Sequence, residues 1–561
     1  MIRNDIKKAI IKAVTEKFGN ILMPEFLVEP PENSSHGDYS TNIALLLSKI
    51  LSAKGGTTSG GNKNPLEIGA ILVEKLAVEG WKLEVAKPGF INFWLSEVSL
   101  EHEFQEILKN KKNYGKSQST IHKPQAINIE FISANPTGPI TMGNARGAFL
   151  GDVLANVLEF SGAKVCREYY INDAKSSTQI KELGKTALGR GMSYLSPYVK
   201  EKMQSPEFRK IIAEIKNKNP RNIEGEVGFA LTEEIQKENQ EHIENIFKIK
   251  FNKFFSEESL YKSGLVKKIQ AELKKKNLIY EKDGAFWLKA KEYGDSEDRV
   301  LVRQTGEPTY ALPDLAYHWN KFKVRKFDKV IDIWGADHHG YAPRLVAALK
   351  ALGIGQDKIK IIITQLVRLI ENGKEVKMSK RRGEFITLEE LIQEVGLDAT
   401  RFFFLMHSPD THMDFDMKLA KEKSMKNPVY YVQYAYVRCG SILAKIPNPP
   451  PGADPPLADK SQINHKIQII KLLNTSEERT LVKKLIQFPE IVEDTAADFQ
   501  VIRLTRYALE LSKIFHNFYE KHQVISVNGE LQMARLALVK ATQIVLHNIL
   551  DLLGISKPEK M

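Results

Sequence analysis

The 561-residue chain is 42% apolar and 27% charged, with 81 basic against 69 acidic side chains, a net charge of +12 and a pI near 9.1. Such a length calls for several domains and such an apolar share for ordinary packed cores, which excludes a disordered or fibrous chain, while the basic balance favours a polyanionic partner such as RNA. Two distant cysteines, Cys166 and Cys439, argue against a disulfide framework and against structural zinc. With no apolar run near eighteen residues and no long apolar stretch at the start, the expectation is a reduced, cytoplasmic protein that keeps off membranes.

Ile6, Ile10, Ile11 and Val14 recur at helical spacing, so the chain is expected to open with an amphipathic helix. Ser34 to Asn42 reads as a polar turn before a helix over 43–52, Lys54 to Pro65 as a flexible surface loop, and Gly89 to Leu95 as a strand. Together these describe an N-terminal α+β domain over residues 1–120.

The next stretch is more informative. Ala126 to Phe131 reads as a buried strand, followed by the loop Ser133-Ala134-Asn135-Pro136-Thr137-Gly138-Pro139-Ile140-Thr141-Met142-Gly143-Asn144. Phe149, Leu150, Val153, Leu154, Val157 and Leu158 then mark a helix, Gly162 closes it, and Val165 to Ile171 forms a second strand. A right-handed βαβ unit with a glycine loop at its helix entrance aims N–H groups at an anion, so the loop is a candidate phosphate site. From about 175 to 294 the pattern is charged and helical, which reads as an insertion. The sheet is expected to resume at Arg299 to Arg303, with further strands over 329–334 and 358–364 flanking a helix over 344–352.

After a hairpin turn at Asn372-Gly373 comes Lys377-Met378-Ser379-Lys380-Arg381-Arg382-Gly383, a cation-rich loop suited to polyphosphate. Thr387 to Glu390 is a capping box opening a helix, and 401–406 continues in buried helical character. From Asn427 the pattern is helical except for 446–456, where proline at six of eleven positions forbids helix. The stripe Tyr507, Leu511, Ile514, Phe515, Phe518 and the stripe through Leu536, Val539, Ile544, Val545, Ile549, Leu552 and Leu553 describe a helix bundle.

Taken in order, the glycine loop and the lysine loop resemble the two signature motifs of class I aminoacyl-tRNA synthetases. The segments Glu130 to Pro139, Tyr169 to Asp173, Trp334 to Gly340 and Asn427 to Ala435 are closer still to the arginyl-tRNA synthetase family. The resemblance implies a Rossmann-like catalytic domain over 121–425 with an insertion over about 175–294 and the lysine loop at 377–383. It implies in addition an elbow-binding domain over 1–120 and a helical anticodon-binding domain over 426–561. It further implies ATP with Mg²⁺, L-arginine and tRNA(Arg) as substrates, activation that waits for bound tRNA, and a monomer. In one respect this chain departs from the family pattern. Where His-x-Gly-His is usual, it has Thr141-Met142-Gly143-Asn144, so neutral donors replace two imidazoles. An RNA-binding pseudoenzyme is the alternative that this departure motivates.

Forming an adenylate needs an in-line carboxylate and positive charge on the departing pyrophosphate. By resemblance, Lys377 and Lys380, supported by Ser379, take the second task, and Thr141 and Asn144 contact phosphate. Gly138, Gly143, Gly335, Asp337, His338 and Met378 would contact ATP. Arginine selection needs a carboxylate matched to a planar fork of donors, and Asp314, four residues after Tyr310, is the expected partner. Glu130, Ser133 and Asn135 would hold the α-amino group and guide the carboxylate. No metal-ligating residues are expected.

Overall fold

A computed structural model describes residues 1–53, 64–76, 81–116, 124–376, 386–445, 469–525 and 529–561. The lysine loop, with Lys377, Met378, Ser379 and Lys380, the proline-rich segment 446–456 and most of 54–65 lie outside the described residues.

Helix Ile2–Phe18 buries Ile6, Ile10 and Val14, but Ile11 is 44% exposed, one position off the apolar stripe. It shares a layer with helices Ile43–Ala53 and Pro65–Leu76, over an antiparallel sheet of β1 (Val28–Glu29), β2 (Tyr39–Thr41), β3 (Lys82–Ala86) and β4 (Phe90–Trp94) in the order β1-β2-β4-β3. The turn before β2 is structural. Gly37 has φ +100, and a Cβ there would lie 2.6 Å from the Phe93 carbonyl oxygen. Asp38 then bridges to the C-terminal bundle through Lys483 at 2.6 Å.

The central sheet is parallel. Strands β5 (Ala126–Glu130), β6 (Lys164–Ile171), β7 (Lys253–Ser256), β11 (Lys329–Gly335) and β12 (Ile359–Thr364) lie in the order β12-β11-β5-β6-β7. Helix Ala145–Phe160 joins β5 to β6. The chain therefore runs outward from β5 on one side and returns beside it on the other. The strand order reverses between β5 and β11, and the C-terminal ends of those two strands open the crevice where ligands bind in such sheets.

The expectation that the main sheet resumes at Arg299–Arg303 is corrected. The sheet takes β7 first, a short Lys-Phe-Phe-Ser strand with too few residues to register as periodic. Arg299–Val302 is β10 of a separate antiparallel sheet with β8 (Ile279–Lys282) and β9 (Ala285–Leu288), in the order β10-β9-β8. Between β6 and β7 stand helices Thr178–Ala187, Pro197–Gln204, Pro206–Lys218 and Ile223–Asn245. The first and last of these pack backbone to backbone, because a Cβ on Gly228 would lie 1.9 Å from the Ile180 carbonyl oxygen.

Strands β13 (Val367–Glu371) and β14 (Lys374–Val376) form the expected hairpin, with Asn372 and Gly373 both at positive φ, and β15 (Met413–Asp416) pairs parallel to β13. Thr387 caps helix Leu388–Val395 in the expected reciprocal box with Glu390. Among the described residues beyond Asn427, helices Pro428–Leu443, Ile469–Leu472, Ser476–Ile486, Phe488–Asp498, Ile502–Lys521 and Gly529–Leu553 make up the bundle. Gly529–Leu553 is long and apolar enough to cross a membrane, but 78% of that apolar window is buried inside the fold.

Candidate active site

The crevice begins where β5 ends. Ile132 and Ser133 follow with φ of +68 and +38, a left-handed kink that side chains other than glycine rarely adopt. The kink is held from both sides. Ser133 Oγ accepts from the Tyr170 N–H at 3.1 Å and donates to Glu130 Oε1 at 3.3 Å. Phe131 then packs so closely on Gly151 that a Cβ there would sit 2.3 Å from its ring, which lays the helix directly on the sheet.

The glycine loop runs from there to the helix, with Asn135 exposed and Gly138 half-exposed. Asn239 of helix Ile223–Asn245 pins it by donating to the Gly138 carbonyl at 3.1 Å. Thr141, expected to contact phosphate, bonds within the loop. Its hydroxyl and its N–H both donate to Asn144 Oδ1, at 3.0 and 3.2 Å. With its oxygen held in this way, the Asn144 amide presents its N–H₂ edge outward. Arg146, directly after the loop, is buried and donates to the carbonyls of Gln365, Ser408 and Thr411, so it braces the helix rather than facing a ligand.

The loop is stitched to the chain just beyond the lysine motif. Met142 N donates to the Ile386 carbonyl at 3.0 Å, Leu388 N donates to the Ile140 carbonyl at 3.0 Å, and Thr141 bridges Thr387. On the other lip, β11 leads into the turn Ala336–His338, where the side chains of Asp337 and His338 are 80% and 53% exposed and lie 3.5 Å apart. Gly335 sits at the strand's end, where a Cβ would press on Asp337 Oδ1 at 2.7 Å.

Beneath the crevice, the parallel register sets Asp332, Glu130 and Glu168 side by side on β11, β5 and β6. Three buried carboxylates in a row would not tolerate each other unpaired. Helix Ala311–Trp319 and the π-helical turn Asn320–Val324 supply the compensation. Lys321, fully buried, donates to Glu130 at 2.6 Å and Asp332 at 2.9 Å. His318 bonds Asp332 at 2.8 Å, while Arg325 and the Tyr317 hydroxyl hold Glu168. Burial works against the charge of all three acids, and the cations win at two of them. Asp332 and Glu168 are held below the ordinary carboxylate range, whereas burial leaves Glu130 raised. Glu130, expected to face an α-amino group, thus already carries a buried cation partner.

A second acidic group has no such compensation. Asp314 accepts from the Tyr341 hydroxyl at 2.7 Å, and burial raises its pKa. Glu257, just after β7, is pushed up to about 8, by burial first and then by the charges of Asp314, Asp173 and Glu258. Among the described residues neither Asp314 nor Glu257 has a lysine or arginine within ion-pair distance. Tyrosines lie near these acids: burial and then Glu257 drive the hydroxyls of Tyr170 and Tyr261 upward, Tyr261 to about 12. Tyr310, 63% exposed, has its ring centroid 5.2 Å from that of Tyr341, which stacks in turn on Trp334. Two nearby acids that are hard to ionise would each be favoured in the charged form by a cation placed beside them.

The sequence pattern singles out Asp314 and Tyr310 as candidates but not Glu257, Tyr341, Lys321 or Asp332. Glu257 sits in a Glu-rich helix start that reads as a cap. Lys321 sits among Lys-Phe-Lys-Val, which reads as surface. No group of three or more His, Cys, Asp or Glu among the described residues is arranged to hold a metal ion.

Three family models match the chain: the arginyl tRNA synthetase N terminal domain over 1–95, the class I (R) tRNA synthetase catalytic domain over 193–416, and the DALR anticodon binding domain over 432–561. The arginine–tRNA ligase of Desulforamulus reducens is 39% identical, covering 100% of this chain and 99% of its own. That of Carboxydothermus hydrogenoformans is 42% identical over 96% and 94%. In fold, the chain is similar to Thermus thermophilus arginyl-tRNA synthetase, with a TM-score of 0.76 at 21% identity and full coverage of both chains. Likeness in sequence along the whole chain, over a doubly wound sheet with a helical bundle behind it, settles the matter: the chain belongs to the arginyl-tRNA synthetase family of class I aminoacyl-tRNA ligases.

Proposed function

We propose that this ligase condenses L-arginine with ATP and passes the arginyl group to the terminal ribose of tRNA(Arg), and that the pair Asp314 and Glu257 selects the amino acid. The observation that supports this reading is the electrostatic opposition of Asp314 to the ionisation of Glu257, with no lysine or arginine within ion-pair distance of either among the described residues. A guanidinium offers five donors in a planar fork and can satisfy both acids at once, whereas lysine brings a point charge and citrulline no charge. Tyr310 closes over it, and Glu130, Ser133 and Asn135 line the approach for the α-amino and carboxylate groups.

In the first step an arginine carboxylate oxygen attacks the α-phosphorus of ATP and pyrophosphate leaves. In the second a ribose hydroxyl attacks the activated carbonyl, AMP departs and a proton is released. Gly138, Gly143, Gly335, Asp337, His338 and Met378 are assigned to ATP, which brings Mg²⁺ on its phosphates. Lys377 and Lys380, with Ser379, are assigned to the pyrophosphate, where fixed positive charge stabilises the leaving group. Asn144, oriented by Thr141, supplies one neutral hydrogen bond to phosphate. Residues 1–120 would hold the tRNA elbow, 121–425 the acceptor end and 426–561 the anticodon, and the enzyme would act as a monomer in the cytoplasm.

Charging of unfractionated tRNA with arginine, beside pyrophosphate exchange with and without tRNA, tests the reading. Arginine-specific charging is expected, with exchange that requires tRNA. The comparisons lend no support to an RNA-binding pseudoenzyme; tight tRNA binding with neither activity would nonetheless revive it.

A further inference from the structure

Outside the crevice and its tyrosines, helix Glu97–Asn110 and the turn Lys111–Asn113 cross helices Pro428–Leu443 and Gly529–Leu553 and leave an open cavity of about 620 Å³. Its lining contains four lysines and a histidine and no carboxylate. Two of these side chains are partnered at the rim, the Lys109 ammonium by Glu106 at 2.7 Å and the His547 ring by Asp551 at 3.1 Å. The other three are not. Among the described residues Lys111, Lys112 and Lys540 have no carboxylate within ion-pair distance, and Lys540 donates only to Gln543 Oε1 at 3.0 Å. Lys111 and Lys540 line the same cavity, and burial, with the charge of Lys111 after it, disfavours the charged form of Lys540.

Unanswered cations that share one cavity are unfavourable unless an anion joins them. The cavity is also structured. Asn548 fixes the turn by donating to the carbonyls of Lys111 and Tyr114, both at 3.1 Å. Tyr436 and His547 line one side of it, their ring centroids 6.3 Å apart and their planes inclined by 41°. Burial, followed by Lys557 and Lys540, lowers the His547 pKa, which keeps that ring neutral and able to lie against a base.

We propose that this cavity binds a phosphate group with its attached nucleotide, the phosphate between Lys111, Lys112 and Lys540 and the base against Tyr436 and His547. The same chemistry has two sources, the backbone of the tRNA substrate or a free nucleoside polyphosphate; the first rests on the function proposed above. The triple variant Lys111→Gln/Lys112→Gln/Lys540→Gln in the full chain separates them, because two of its positions are exposed and its residues lie outside the crevice.

If the backbone is the ligand, unfractionated tRNA binds about tenfold more weakly to the variant, and the slope of log affinity against log salt falls by about 1, as for one phosphate no longer neutralised. The arginine and ATP Michaelis constants and turnover at saturating tRNA stay at parental values, and Lys540→Arg behaves as the parent. If a free nucleotide is the ligand, tRNA binding is unchanged, and calorimetry shows a second equivalent of ATP on the parent that the variant lacks. Parental behaviour in both titrations overturns the proposal. So does a loss in Lys540→Arg as large as in the triple variant, since the loss would then follow packing and not charge. An inactive parent would refute the charging reaction, yet both binding titrations would still read on the cavity.

Discussion

Lys321→Met probes the buried row of acids most directly. Methionine matches the volume of the lysine stem but leaves Glu130 and Asp332 without their shared cation. Breaking a buried pair from one side costs about 3 to 5 kcal/mol. Asp332 keeps His318 at 2.8 Å, so the loss falls mainly on Glu130, whose other contact is the Ser133 hydroxyl at 3.3 Å. Glu130 can escape by taking a proton. From the ordinary glutamate value of 4.5, that costs about 3.4 kcal/mol at pH 7 and about 1.4 at pH 5.5, at 1.36 kcal/mol per pH unit. The sign follows from linkage. A carboxyl whose folded pKa lies above its unfolded one holds a proton that the unfolded chain has lost, so the variant's stability falls as pH rises above 4.5. Native-state hydrogen exchange of the β5 and β11 amides reads this locally, without requiring the whole chain to unfold in one step. We expect a deficit of about 3 kcal/mol at pH 7 that shrinks by about 2 at pH 5.5 and is largely removed in Lys321→Met/Glu130→Gln. A deficit under about 1 kcal/mol at pH 7, or one indifferent to pH and to the second substitution, would refute the reasoning.

Asp314→Asn should raise the arginine Michaelis constant by about a hundredfold, as expected for losing one charged partner of a guanidinium, while the ATP constant moves little. Because Glu257 holds a proton up to about pH 8 in the empty pocket and must lose it to pair with arginine, arginine affinity should rise between pH 6 and 8. Glu257→Gln should bind more weakly and lose that dependence, and calorimetry in buffers of differing ionisation heat would count the proton. Asn144→Ala should lower turnover about tenfold at unchanged arginine affinity, and Thr141→Val, which frees the Asn144 amide to turn, should lower it in the same direction by less. Gly228→Ala places a methyl 1.9 Å from the Ile180 carbonyl, which backbone alone must relieve, so it should cost about 1 to 3 kcal/mol, visible as faster exchange in helices Thr178–Ala187 and Ile223–Asn245.

Some of this protein is written in local pattern. The βαβ unit, the Asn372-Gly373 hairpin, the Thr387 capping box and the apolar stripes of the bundle each depend on residues within a few turns of one another, so spacing alone announces them. The glycine-loop and lysine-loop motifs are likewise legible in sequence, because each is contiguous. Tertiary structure alone decided what crosses the sheet. Glu130, Asp332 and Glu168 become neighbours only through the parallel register of β11, β5 and β6, and Lys321 reaches them only because a π-helical turn points it into the core. Glu257 and Asp314 stand far apart along the chain, and each alone reads as an ordinary helix-end acid. Neither the strength of their like-charge contact nor its fitness for a guanidinium exists until β7 and helix Ala311–Trp319 bring them together, because electrostatic coupling depends on distance and burial and not on order along the chain.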